Sequence, residues 1–127
     1  MFEIVKEVAK SLGAKYVEVN PLFIEEASDV SECRWEGPCL ADKCERFTDL
    51  ESRLYTALSD ASSVYVFTCE VGDDVYLLMI VCVGRFCLAV TVDDVFDPLM
   101  LANTMVRTIE NEYERINIEL QRALIQG

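Results

Sequence analysis

The chain contains no histidine. That removes the usual general base, the usual activator of a nucleophile and the commonest metal ligand together, and most hydrolase mechanisms are thereby disfavoured. Glycine is sparse and scattered, at Gly13, Gly37, Gly72, Gly84 and Gly127. No phosphate loop, dinucleotide fingerprint or nucleophile elbow can be assembled from that spacing, so catalysis is not expected. Positive charge is also short: 11 Lys and Arg stand against 23 Asp and Glu, a formal charge of −12. A surface of that sign repels phosphate, which argues against nucleic acid and anionic lipid and in favour of a basic protein partner.

Side-chain amides are limited to Asn20, Asn103, Asn111, Asn117, Gln121 and Gln126. Scarce amides are a thermophile signal, and thermophilic cytosols are the recognised exception to the rule against intracellular disulfides. Residues 1–12 mix Glu3, Lys6, Glu7 and Lys10 among the apolar positions, unlike a secretory leader, and the chain reads as cytoplasmic. The longest apolar stretch, Val75 to Val92, is interrupted by Gly84 and Arg85. In a bilayer Arg85 would cost roughly 2.5–3.5 kcal/mol, so two buried strands account for the stretch better than a membrane span.

What is present describes a folded α+β chain. The 127 residues are 52% hydrophobic, enough for one domain with a real core and too few for two ordinary ones. Phe2, Val5, Val8, Ala9 and Leu12 recur at helical spacing before Gly13, a C-terminal stop. Ala14 to Val19 reads as a strand, and Asn20-Pro21 as a turn into a brief strand at Leu22 to Ile24. An irregular Cys-containing insertion follows, at about residues 26–46. Thr48-Asp49-Leu50-Glu51 has the capping-box pattern and opens a helix expected to end between Asp60 and Ser63.

Three apolar runs, Val64 to Val71, Val75 to Val83 and Phe86 to Val92, form an antiparallel meander. A two-residue Gly84-Arg85 turn would pair Val83 with Phe86 and so set Cys82 opposite Cys87. The middle run is apolar throughout, which calls for an internal strand with helices on both faces of a mainly antiparallel five-stranded sheet. Asp97-Pro98 then starts a long C-terminal helix. In it Leu99, Ala102, Val106, Ile109, Tyr113, Ile116, Leu120 and Ala123 alternate spacings of three and four, either a heptad seam or a plain amphipathic stripe.

The order helix, strand, strand, helix, three-stranded meander, long helix resembles the Roadblock / dynein light chain family over residues 2–19 and 48–113. The resemblance is architectural and has no short diagnostic motif. It implies a profilin-like sheet with helices on both faces, pairing as a homodimer, and a regulatory or scaffolding role toward a small GTPase or a motor. It also implies an interface from the second helix and the neighbouring edge strand, which here means Leu54, Tyr55, Leu58, Tyr65 and Phe67, unless these are ordinary core. The insertion and the length of the last helix depart from the family pattern.

The cysteines support a competing reading. Cys33, Cys39 and Cys44 lack the C-x2-C spacing of zinc ribbons and ferredoxin clusters, and a zinc or iron–sulfur site would need a fourth ligand such as Cys69. Disulfide pairing and free thiols remain open for the same residues, and the chain would then be a metal-binding or redox-sensing module. Cys82 and Cys87 are either a cross-strand disulfide or two small buried hydrophobes. Asp73 and Asp74 in the first hairpin turn and Asp93, Asp94 and Asp97 after the third run should share one end of the sheet. That acidic rim could hold Mg²⁺ or Ca²⁺ or receive a basic partner, or it could simply serve turns and helix caps. A further reading makes the chain a small subunit of a larger assembly, joined through the C-terminal heptads.

Overall fold

The computed structural model describes residues 2–24 and 43–126, with side chains at 2–24 and 44–112. The elements are α1 (Glu3–Ser11), β1 (Val17–Phe23), β2 (Lys43–Arg46), α2 (Thr48–Ala57), β3 (Ser63–Val71), β4 (Asp74–Val83), β5 (Phe86–Val92) and α3 (Pro98–Gln126). The strands form one antiparallel sheet in the order β1-β5-β4-β3-β2. No helix of the described residues is long and apolar enough to cross a membrane.

The β4–β5 hairpin turns through Gly84, whose φ of +60° is left-handed, as a two-residue turn with glycine first requires. Val83 pairs with Phe86 and Cys82 with Cys87. Alternation then divides the sheet into two apolar faces. The first carries Val64, Val66, Met79, Val81, Leu88, Val90 and Val92, packed against Val5 and Ala9 of α1, Leu50 and Leu54 of α2, and Leu101, Met105 and Ile109 of α3. The second carries a separate buried cluster that includes Phe67, Leu78, Ile80 and Ala89 together with Cys69, Cys82 and Cys87.

The structure corrects the sequence reading at three points. First, Asn20-Pro21 is not a turn: one strand runs through it, and β1 is an edge of the sheet. Ile24 donates its N–H to the Arg85 carbonyl, so by alternation the nitrogen of Pro21 points away from β5, where a missing donor costs nothing. Second, the fifth strand is β2, from the end of the stretch expected to be irregular, and it pairs with β3 at the opposite edge. The rest of that insertion lies outside the described residues.

All three helices among the described residues lie on the first face, and the helix expected on the second face is neither shown nor contradicted by the described residues. Third, α2 does not form the capping box. Its N-cap is Phe47, without a side-chain cap, and the helix stops at Ala57, short of Asp60. At α3 the expected cap does form, with the Met100 N–H donating to Asp97 Oδ1 at 3.1 Å. The buried stripe of α3 contains Leu101, Ala102, Met105, Val106 and Ile109, broader than a heptad seam, while Leu99 faces solvent. Beyond Glu112 the heptad positions Tyr113, Ile116, Leu120 and Ala123 lie outside the described side chains.

Candidate functional site

The β2 strand covers only the second half of β3. It ends with Arg46 opposite Phe67, after which the Phe47 N–H donates to the Val66 carbonyl at 2.8 Å. The Val66 N–H then meets a carboxylate instead of a strand, donating to Glu51 Oε2 at 3.1 Å. Glu51 also receives both prongs of Arg46, Nη2 to Oε1 at 2.7 Å and Nε to Oε2 at 3.0 Å. The Arg46 guanidinium in turn stands 5.4 Å from the centre of the Tyr65 ring. Thus α2, β2 and β3 are joined through one carboxylate. Burial alone would raise the Glu51 pKa, but the hydrogen bonds from Arg46 and Val66 and the Arg46 charge outweigh it and hold the carboxyl below its ordinary value.

Two residues toward the start of β3, Val64 presents its N–H and C=O to the same side as those of Val66. They have no partner among the described residues, none of which continues the sheet along this edge. Beside that edge and α2 lies a shallow groove of about 430 Å³, lined among others by Glu51, Ser52, Tyr55, Ser63, Val64 and Tyr65. Tyr55 is 55% exposed at its rim. The Glu51 carboxylate in the lining is paired with Arg46, and the other residues named are uncharged.

Of the residues expected to form a dimer interface, Tyr55 and Tyr65 do line this groove. Leu54 and Leu58 are instead buried in the first cluster and Phe67 in the second, which makes these three core residues of the single chain. Reading the sequence missed Glu51, Ser52 and Ser63. The pair Ser62-Ser63 ahead of an apolar strand was the available signal, since small polar residues suit an open strand edge.

The cysteines lie elsewhere. Cys44 and Cys69 are joined across β2 and β3 with Cα atoms 4.1 Å apart. Cys82 and Cys87 are joined across β4 and β5 with Cα atoms 4.0 Å apart. Such close Cα approach belongs to non-hydrogen-bonded antiparallel pairs, the position the hairpin register gives to Cys82 and Cys87. Both bridges belong to the second face. Cys44 and Cys69 face each other, and Cys33 and Cys39 lie outside the described residues.

The acidic residues do occupy one end of the sheet. Asp73 and Asp74 stand at the β3–β4 turn, and Asp93, Asp94 and Asp97 lie between β5 and α3. Among the described residues no three His, Cys, Asp or Glu side chains converge as metal ligands. Asp93 plays a structural part, because its carboxylate accepts from the Lys15 N–H at 2.9 Å and the Tyr16 N–H at 3.1 Å, tying β1 to the end of β5. The Tyr16 bond leads the effects that lower its pKa. Asp97 caps α3. Comparison with protein-family models, with curated proteins and with solved structures finds no match to this chain.

Proposed function

We propose that the protein is a non-enzymatic interaction module that pairs with a second copy of itself through α2 and the Val64 edge of β3. The observation that carries this reading is the Val64 edge, without a backbone partner on its outer side among the described residues, beside exposed Tyr55. Exposed strand edges are usually blunted by charge, proline or a covering element, as Pro21 does on β1. Among the described residues no proline and no strand covers the Ser62 to Tyr65 edge, while Phe67 to Glu70 of β3 pair with β2. The groove lining, in which the Glu51 carboxylate is paired with Arg46, suits contact between two copies of an acidic chain. The resemblance to Roadblock proteins directs attention to the same two elements and makes a small GTPase or motor the partner that the dimer would regulate or scaffold.

Tyr55→Glu tests this by sedimentation velocity. The exposed position should leave the fold intact, so the wild-type chain is expected as a dimer and the variant as a monomer. A monomeric wild type, or a variant that remains dimeric, overturns the reading.

A second reading is supported by the two cysteine pairs. A thiol–disulfide element on the second face would make the chain redox-responsive, with a dithiol reductant as its counterpart. Mass analysis after alkylation, with and without prior reduction, tests it: free labelling of all six cysteines in denaturant without reductant removes this reading.

A further inference from the structure

Among the described residues the most exposed large apolar side chain is Phe96, at 76%, and it does not sit on a loose loop. Val95 before it is buried, its own N–H donates to the Leu12 carbonyl at 3.0 Å, and Asp97 after it caps α3. A Cβ at Gly13 would lie 3.7 Å from Phe96 Cδ1, so the ring rests on the backbone at the end of α1. One turn further on, Met100 is 51% exposed, and Leu99 beside it is also open. Burial of Leu101, Ala102 and Met105 fixes the helix so that Leu99 and Met100 face outward. The chain therefore holds an apolar corner in solvent on anchored backbone.

Lys10 and Lys15 flank the end of α1 on which Phe96 rests, but aspartates outnumber them around the corner. Segments 70–76 and 91–100 hold Asp73, Asp74, Asp93, Asp94 and Asp97 and no lysine or arginine. We propose that the Phe96, Leu99 and Met100 corner is a docking surface for a basic amphipathic helix of another protein. Its apolar stripe would cover Phe96 and Met100, and its lysines or arginines would meet the aspartates around them. A second copy of this chain is the wrong occupant, because two such corners would bring their aspartates together. Anionic lipid is repelled for the same reason. The surface lies at the end of the sheet near the start of α3, apart from the α2–β3 groove, and does not depend on dimerisation.

The test uses the full chain and two synthetic amphipathic helical peptides of one pattern, one of leucine and lysine and one of leucine and glutamate, with binding read by fluorescence anisotropy. The Leu/Lys peptide should bind, more weakly as salt rises, and the Leu/Glu peptide should not. The double variant Phe96→Ser, Met100→Ser should weaken binding by about tenfold or more, as loss of central apolar anchors does. Asp94→Lys, an exposed change independent of packing, should weaken it as well, and Tyr55→Glu should leave it unchanged. Equal binding of both peptides, or full binding by both corner variants, overturns the proposal. Loss of binding in Tyr55→Glu alone would place the peptide in the other groove and overturn it too.

Discussion

Replacing Glu51 should release the edge of the sheet on which the proposed interface is built. In Glu51→Ala the Val66 N–H, on a residue with no exposed surface, loses its carboxylate acceptor, and Arg46 loses a two-pronged partner. A hydrogen bond to a charged group is worth about 1.5–3 kcal/mol. The ion pair adds at most about 1 kcal/mol, discounted because the Arg46 side chain is 48% exposed. The expected loss is thus about 2–3 kcal/mol, and for a chain of this size a Tm lower by roughly 8 °C. Glu51→Gln keeps an oxygen for Val66 but no charge for Arg46, and should lose about 1 kcal/mol.

The pH dependence has a fixed sign. Because the folded carboxyl titrates below its ordinary value, its contribution is complete above the unfolded pKa and disappears as pH falls through the folded one. The stability gap between wild type and Glu51→Gln should therefore narrow on acidification. Urea titrations of the three proteins at neutral and acidic pH read all of this. Losses within about 0.5 kcal/mol for both variants would refute the reasoning, since that is the range of inert surface changes.

Three further outcomes are expected. Under non-reducing conditions, replacing Cys44 and Cys69 by serine should cost about 3.5 kcal/mol and replacing Cys82 and Cys87 about 2, because the bridges span 25 and 5 residues; equal denaturation midpoints for the two double variants would count against both pairings. Leu101→Ala should lose about 2–5 kcal/mol while Leu99→Ala stays near wild type, since the structure buries the first and exposes the second; the reverse order in chemical denaturation would mean that α3 is rotated. Asp93→Asn should flatten the acid limb of the stability curve: the lowered Asp93 pKa gives stability present above the unfolded value and lost as pH falls through the folded one. An acid limb unchanged by the substitution would show that the Lys15 and Tyr16 bonds do not hold in solution.

The legible parts of the fold were those in which local chemistry and long-range packing agree. Gly84 first in a two-residue turn determines the β4–β5 register, and that register alone sets Cys82 against Cys87. Asp97-Pro98 starts α3 because the cap and the proline act within one turn. Pro21 misled because a proline can end a strand or lie along an outer edge, and which applies depends on the neighbour that β1 finds far along the chain. The β2 strand had no apolar alternation to reveal it. Lys43-Cys44-Glu45-Arg46 is held by β3, by the Cys69 sulfur and by Glu51, none of which the four residues themselves announce.

The candidate site was legible only in part, for the same reason. Tyr55 and Tyr65 were identified through a resemblance, whereas Leu54, Leu58 and Phe67 sit at spacings that serve core and interface equally well. Glu51 read as a capping-box residue, a role that needs only its own helix. Its actual partners lie on two strands. Phe96 had a usable signal: of the adjacent pair Val95 and Phe96, one side chain must turn away from the core, and the structure buries the valine.

In the proposed dimer, two copies of the chain meet along the Val64 edge of β3. Amide hydrogen exchange at Val64, followed over a range of protein concentrations, tests it most directly, because that N–H points away from β4 and has no partner among the described residues of the single chain. Fast exchange is expected in dilute protein and rising protection as concentration drives pairing, with the protection abolished by Tyr55→Glu. Exchange at Val64 that is independent of concentration across a range in which the chain is shown to dimerise would place the interface elsewhere and contradict the account.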